Sequence, residues 1–253
     1  MSALGSLRCI ALIVAVGLLY PAPAHANTLV AGHADWQPWC SKNPAGQKGV
    51  LIDIFNLACR RAGYRCETLV MPLPRRNTVA WGDSVNVELG VIPEWREEYS
   101  RVSVYTIPVI QTVNVVIARC GRMPKTDAID AFYGKTIGTN RGYTYTDGFD
   151  EAFAGGRIRR EDTIEGRSIV LMLVHDRFDA AILDRHEARF WFKTLNIDER
   201  RFEEVYVFKQ PNDLRFRLHS DLAPLLPRLD QTLRAMQADG SLQQIVDAYT
   251  RSP

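Results

Sequence analysis

The sequence predicts an α/β fold built as two lobes, and three observations predict it. Short β-branched runs alternate with apolar stretches of helical period. The alternation restarts at Lys135, after a run from Thr112 to Ala118 long enough to cross from one lobe to another. The 253 residues are 46% hydrophobic and 24% charged, with no low-complexity tract, which is enough chain for two compact lobes of roughly 100 residues each.

At the N-terminus, Arg8 precedes an apolar run from Cys9 to Tyr20, and Pro21 to Ala26 ends with small residues at Ala24 and Ala26. This is the pattern of a secretory signal peptide with an A-x-A cleavage site. The expected mature chain therefore starts at Asn27, and residues 1–26 are excluded from the fold. The run is shorter than the roughly 18 residues a spanning helix needs. Cys9 stands before the apolar run rather than after it, which argues against lipidation.

Leu29-Val-Ala-Gly32 reads as the first strand, followed by a loop through Asp35-Trp-Gln-Pro-Trp39 and the turn residues of 41–49. Leu51, Ile54, Phe55, Ala58 and Ala62 then recur at helical spacing, and Gly63 is a natural left-handed stop. Tyr64 to Met71 and Val85 to Ile92 are the next strands, and Thr112 to Ala118 is the crossing strand. In the second half Lys135 to Gly138 is a strand, Gly142 to Thr146 a turn and Asp147 to Phe153 a helix. Glu165 to His175 is a second helix, and the strand Asp179 to Leu183 runs into a helix from Arg185 to Leu195. Leu214, Phe216 and Leu218 alternate as a strand, and two amphipathic helices, parted at Gly240-Ser241, close the chain. Elements of these lengths in this order predict mainly parallel sheets, with the ligand site at the carboxyl ends of strands between the lobes.

Charge and cysteines narrow the function classes. A formal net charge of +2, from 31 basic and 29 acidic residues that are interspersed, gives no sign of a nucleic-acid surface. Arg75-Arg76 and Arg157 to Arg160 read as solvated faces. Beyond Cys9, Cys40, Cys59, Cys66 and Cys120 make an even set in a chain bound for an oxidising compartment. Cys59 falls near the end of a helix and Cys66 on the strand after the Gly63 turn, so the chain can bring them together; Cys40 and Cys120 are left as a second bridge the sequence does not decide. No C-x-x-C occurs and the histidines are scattered, which disfavours zinc, and no cofactor is expected.

In order along the chain, Asp35 to Asn43, Gly49 to Phe55, Ile92-Pro-Glu-Trp-Arg96, Gly134 to Gly138 with Arg141-Gly-Tyr-Thr144, and Asp179 to Asp184 resemble the family 3 extracellular solute-binding proteins, the amino-acid receptors of ABC importers. The resemblance spans nearly the whole mature chain. It implies a two-lobed, type II (Venus-flytrap) periplasmic binding fold with a central ligand cleft. Its expected parts are lobe I over 27–115, lobe II over 116–211 and a return to lobe I over 212–253. It also implies a Cys59–Cys66 disulfide, as in some cationic amino-acid receptors.

Site roles follow residue by residue. Arg96 matches an arginine that grips a ligand carboxylate, a task for a planar guanidinium, and Asp184 a carboxylate that pairs with a ligand ammonium. Gly142, Tyr143 and Thr144 match a turn whose backbone N–H groups hold an anion at a helix start. Trp36 matches an aromatic packed on the ligand body, with cation–π attraction available. Met71-Pro-Leu-Pro-Arg75 resembles the P-x-x-R segment of a broader branch and makes Arg75 a second anion contact. The plainer alternatives are a surface ion pair for Arg96 with Glu97 or Glu98, an N-cap role for Asp184, and core packing for Trp36, Trp39 and Trp81.

Two departures bear on the ligand: Glu88-Leu-Gly90 stands where small hydroxyl residues are common, and Tyr143 replaces a small hydroxyl residue. Glu88 can neutralise Arg96 or select a cationic ligand. The expectation is a periplasmic, monomeric, non-enzymatic receptor that closes on a polar amino acid or related zwitterion and presents it to an ABC permease. The alternatives are a ligand-sensing accessory protein, or an enzyme resembling cyclohexadienyl dehydratases with Glu88 as the acid.

Overall fold

The computed structural model describes residues 28–41, 47–71 and 81–250; the expected signal peptide and Arg75 lie outside them. Eleven strands form two sheets among these residues. The first sheet contains β1 (Leu29–His33), β2 (Cys66–Val70), β3 (Val87–Val91), β4 (Ser103–Tyr105), β5 (Ile110–Thr112) and β11 (Asn212–His219), in the order β2-β1-β3-β11-β4 with β5 also on β11. The second contains β6 (Asn114–Arg119), β7 (Thr136–Asn140), β8 (Arg159–Thr163), β9 (Ala180–Asp184) and β10 (Phe202–Val207), in the order β10-β6-β9-β7-β8. The chain passes from the first sheet to the second between β5 and β6, and returns between β10 and β11.

Both sheets are mixed, which corrects the expectation of mainly parallel sheets. β1 runs parallel to β2 and β3, and β7 parallel to β8 and β9. The crossing strands β6 and β11 enter from the opposite lobe and so run antiparallel to β9 and β3. The expected single strand from Thr112 to Ala118 is in fact two, parted at Val113 so that β5 belongs to one sheet and β6 to the other.

Each sheet is covered by helices whose apolar residues meet it. α1 (Val50–Ala62) buries Leu51, Ile54, Phe55 and Ala58, and packs with α5 (Leu226–Ala238) and α6 (Ser241–Thr250) on the first sheet. Gly63 stops α1 in the left-handed region at φ 74°, donating its N–H to the carbonyls of Arg60 and Cys59. The turn brings Cys59 and Cys66 to a Cα separation of 6.1 Å and they form a disulfide. Cys40 is buried in the first lobe while Cys120 lies exposed after β6, its thiol 3.2 Å from the Arg200 carbonyl, so they form no second bridge. The second sheet has a core on each face, an aromatic one around Phe132, Phe149, Tyr206 and Phe208, and an aliphatic one under α3 (Gly166–Val174) and α4 (Arg185–Thr194).

The helix expected over Asp147 to Phe153 is α2, Phe149–Ala154, starting after Gly148. Arg160 does not belong to a merely solvated face. It donates to the carbonyls of Asn140 and Tyr143 at 3.1 and 2.9 Å and lies over the Tyr145 and Phe153 rings, bracing the loop after β7.

Candidate ligand-binding cleft

Two tryptophans of the first lobe are fixed by the way α1 begins. The first N–H groups of a helix have no partner within it, and here Val50 and Leu51 donate to the carbonyls of Pro38 and Trp39 at 3.1 and 3.0 Å. Trp36 and Cys40 exchange two further backbone bonds at 2.8 and 2.7 Å, closing the loop on itself. Gly49, at φ 146°, lies so close to the Trp39 backbone that no side chain fits there. The Trp-Gln-Pro-Trp loop is thereby seated on the helix N-terminus, with both indoles facing the other lobe.

Across from them, β9 ends at Asp184 and α4 begins. Asp184 is the N-cap: its Oδ1 accepts from the N–H groups of His186 and Glu187, both at 3.0 Å. The same oxygen accepts from the Trp39 indole at 3.1 Å. Three residues on, the Glu187 carboxyl accepts from the Trp36 indole at 3.2 Å and packs its other oxygen against Gly166, the first residue of α3. The lobes are thus joined by two indole-to-carboxyl hydrogen bonds. Asp184 is 4% exposed and Glu187 3%, neither has an ion-pair partner among the described residues, and Asp184 Oδ2 is buried without a hydrogen bond.

Burial without a cation raises both carboxyls. Asp184 is pushed up to about 6, chiefly by loss of hydration, with the cap and indole bonds pulling the other way. Glu187 is pushed up to about 8, first by burial and then by the charge of Asp184 beside it. His186, edge-on to Trp39 at 5.5 Å, is lowered by burial and by Arg189 and Arg185.

A second charged cluster lies in the first lobe. Glu88 on β3 receives Arg96 side-on, Oε2 from Nε at 3.1 Å and Oε1 from Nη2 at 2.7 Å, and Oε2 also accepts from Arg217 of β11 at 3.1 Å. Arg96 also donates from Nη1 to the Trp95 carbonyl at 2.7 Å. Arg96 sits at a kink (φ −137°, ψ 27°) in the 3-10 segment Pro93–Val102, which turns its side chain back to β3 rather than toward Glu97 or Glu98. Arg217 is fully buried and stacks on Trp81 at 3.7 Å, and its burial lowers its affinity for the proton.

Gly142, Tyr143 and Thr144 form an exposed turn rather than a helix start; α2 begins only at Phe149. The Tyr145 N–H at the end of this turn is taken by Asp150 of α2 at 2.9 Å. Thr144 lines a cavity of about 400 Å3 between the lobes, with Trp95, Asn114, Asp150, Gln210 and Arg215 among its walls. Asn114, one of its walls, is paired with Asp184 across the β6–β9 ladder, while Trp36, Trp39, Asp184 and Glu187 do not themselves line it. Its volume lies within the range of small-molecule sites.

The structure therefore brings Trp36 and Asp184 to one pole of the cleft, Thr144 to the neighbouring cavity and Arg96 to an internal ion-pair cluster. Glu187 and the hydrogen-bonding role of Trp39 were missed from sequence. The Asp184-Arg-His-Glu187 spacing matched a helix capping box and was the one available signal.

No protein-family model and no curated protein matches this sequence. Solved structures do match it in fold. An arginine 3rd transport system periplasmic binding protein from Legionella pneumophila aligns at 16% identity over 88% of this chain and 98% of its own, with a TM-score of 0.68. The GluR0 ligand-binding core from Nostoc punctiforme, in complex with L-glutamate, aligns at 15% identity over 88% of this chain and all of its own, with a TM-score of 0.71. This chain has the two-lobed, type II periplasmic-binding-protein fold. A histidine kinase sensor domain with similarity to periplasmic binding proteins shares it too, at 16% identity, 89% of this chain, 96% of its own and a TM-score of 0.73.

Proposed function

We propose that this chain is a solute-binding receptor whose two lobes close on a small polar ligand. One observation carries the reading: two hydrogen-bond donors on one lobe meet two buried carboxyls on the other, beside a ligand-sized cavity at the crossing strands. Buried carboxyls without cations are costly, so the closed cleft has a standing preference for a molecule that supplies the missing charge. Closure can then be shifted only as far as the ligand favours the closed form.

The remaining parts of the reading go with this one. The lobes are taken as 27–115 with 212–253, and 116–211. The chain is exported to the periplasm after cleavage behind Ala26, acts as a monomer and delivers its ligand to an ABC permease. The ligands named for the matched structures make an amino acid or related zwitterion the starting class, and Trp36, Arg96, Thr144 and Asp184 the starting contacts, with Gly142, Tyr143 and Arg75 beside them. A sensing role without transport is the second reading, favoured by the kinase sensor domain among the matches. Catalysis is disfavoured because the nominated acid, Glu88, spends both carboxyl oxygens on guanidiniums.

The test is a thermal-shift panel of the mature protein against amino acids, amines and small organic acids. Saturation at a hundred times Kd stabilises by about 2.7 kcal/mol, several degrees for a protein of this size. A rise confined to one chemical class supports the receptor reading. No rise with any of them contradicts it.

A further inference from the structure

The cleft meets the two charges of a zwitterion unequally. Among the described residues, Arg96 and the turn after β7, both nominated to hold an anion, are engaged by the protein's own carboxylates, and Arg215 on the cavity wall donates from Nη1 to the Thr106 carbonyl at 2.8 Å. The side edge of the Arg96 guanidinium is clasped by Glu88, and the Tyr145 N–H after the Gly142 turn is taken by Asp150. The cation-seeking pole is the reverse: Asp184 and Glu187 are buried side by side with no ion-pair partner among the described residues. Asp184 Oδ2 has no hydrogen bond at all. The nearest basic side chain on the same helix, Arg185, is committed to Glu204 at 2.7 and 2.8 Å.

We propose that Glu187 joins Asp184 in a two-carboxyl pole that receives the cationic end of the ligand, and that the ligand is a small organic amine or guanidine recognised without a carboxylate. The inference rests on the receptor reading above and narrows its ligand class. An ammonium or guanidinium offers several N–H donors, enough to serve Asp184 Oδ2 and Glu187 together. On loading, the Trp36 and Trp39 indoles exchange their edge-on N–H bonds for contact with the cation, a geometry in which the ring faces attract positive charge. Glu187 is the specificity residue of this pair, since Asp184 is also bound to the helix N-terminus and cannot turn freely.

Among the described residues, the groups facing Glu187 are Asp184 at the end of β9, Asp35 and Trp36 from the loop after β1, Tyr145 after β7, Trp191 on α4 itself and the start of α3 at Gly166. None of them is a cation. A bound cation must therefore displace the proton that Glu187 keeps up to about pH 8, and affinity rises with pH to that point.

The experiment is calorimetric titration of the mature protein with matched pairs, agmatine against arginine and cadaverine against lysine, from pH 6 to 9, repeated on Glu187→Gln. The expected result is that the decarboxylated member of at least one pair binds tenfold or more tightly than its amino acid. Its affinity climbs with pH and levels off above about 8, and Glu187→Gln both loses tenfold and flattens the climb. An amino acid that outbinds its decarboxylated partner overturns the inference, as does unchanged affinity and pH profile in Glu187→Gln. Binding of neutral or acidic ligands alone overturns it while leaving the receptor reading intact; absence of binding by any member of the panel overturns both.

Discussion

Removing the Glu88 carboxylate is the perturbation whose cost the structure fixes best. Glu88 is 1% exposed and lies between Arg96, whose side chain is 11% exposed, and Arg217, which is fully buried among Trp81, Tyr99 and β11's neighbours. In Glu88→Ala, Arg96 can swing toward solvent but Arg217 cannot, so a guanidinium remains in the core without the Glu88 carboxylate. Breaking a buried pair in this way costs about 3 to 5 kcal/mol, against a domain stability of about 5 to 15. Urea unfolding followed by circular dichroism reads it directly: with a slope of about 2 kcal/mol per molar, the midpoint falls by roughly 1.5 to 2.5 M. The double variant Glu88→Leu/Arg217→Met removes both buried charges and is expected to recover most of the loss, because an apolar pair of similar volume is often as stable as the ion pair it replaces. A loss under about 1 kcal/mol in Glu88→Ala, or no recovery in the double variant, would refute the reasoning.

Three further outcomes follow from the cleft and its supports. Asp184→Ala loses the N-cap of α4 and costs about 1 kcal/mol in the ligand-free protein, while Asp184→Asn, which keeps an acceptor, costs less; both are expected to abolish ligand binding, read by denaturation and titration side by side. Because Asp184 and Glu187 titrate higher when buried than in the unfolded chain, their contribution is fully present below about pH 4 and is lost as pH rises through 6 and then 8. Urea midpoints at pH 5, 7 and 9 should therefore decline, and Glu187→Gln should decline less. Cys59→Ser opens a loop of seven residues' separation, and the expected loss is about 2 to 3 kcal/mol, matched by wild type under a reducing agent.

What was legible in the sequence was what is decided locally. α1 announces itself through Leu51, Ile54, Phe55 and Ala58 and stops at Gly63, and the Cys59–Cys66 bridge follows from that turn. β9 running into α4 pointed to Asp184 as an N-cap, and the capping oxygen also accepts from the Trp39 indole. The pairings that set the chemistry were not legible, because topology rather than pattern brings them together. Trp36 meets Glu187 across 151 residues and Glu88 meets Arg217 across 129. β4 and β10, short edge strands that pair with the crossing strands, carried no alternation strong enough to be seen. The Gly142 to Thr144 turn does not sit on a helix start, and nothing in the sequence signals that Gly148 delays α2 to Phe149 or that Asp150 reaches back to the Tyr145 N–H.

The most direct test of the receptor account is calorimetric titration of wild type and Asp184→Asn with whichever compound stabilises the mature wild-type protein. The account predicts one site per chain, micromolar or tighter, in wild type and no measurable heat in the variant, whose unfolding curve stays close to normal. Equal binding by the two proteins would contradict it, because the ligand would then lie away from the only pole at which the described lobes meet through buried carboxyls.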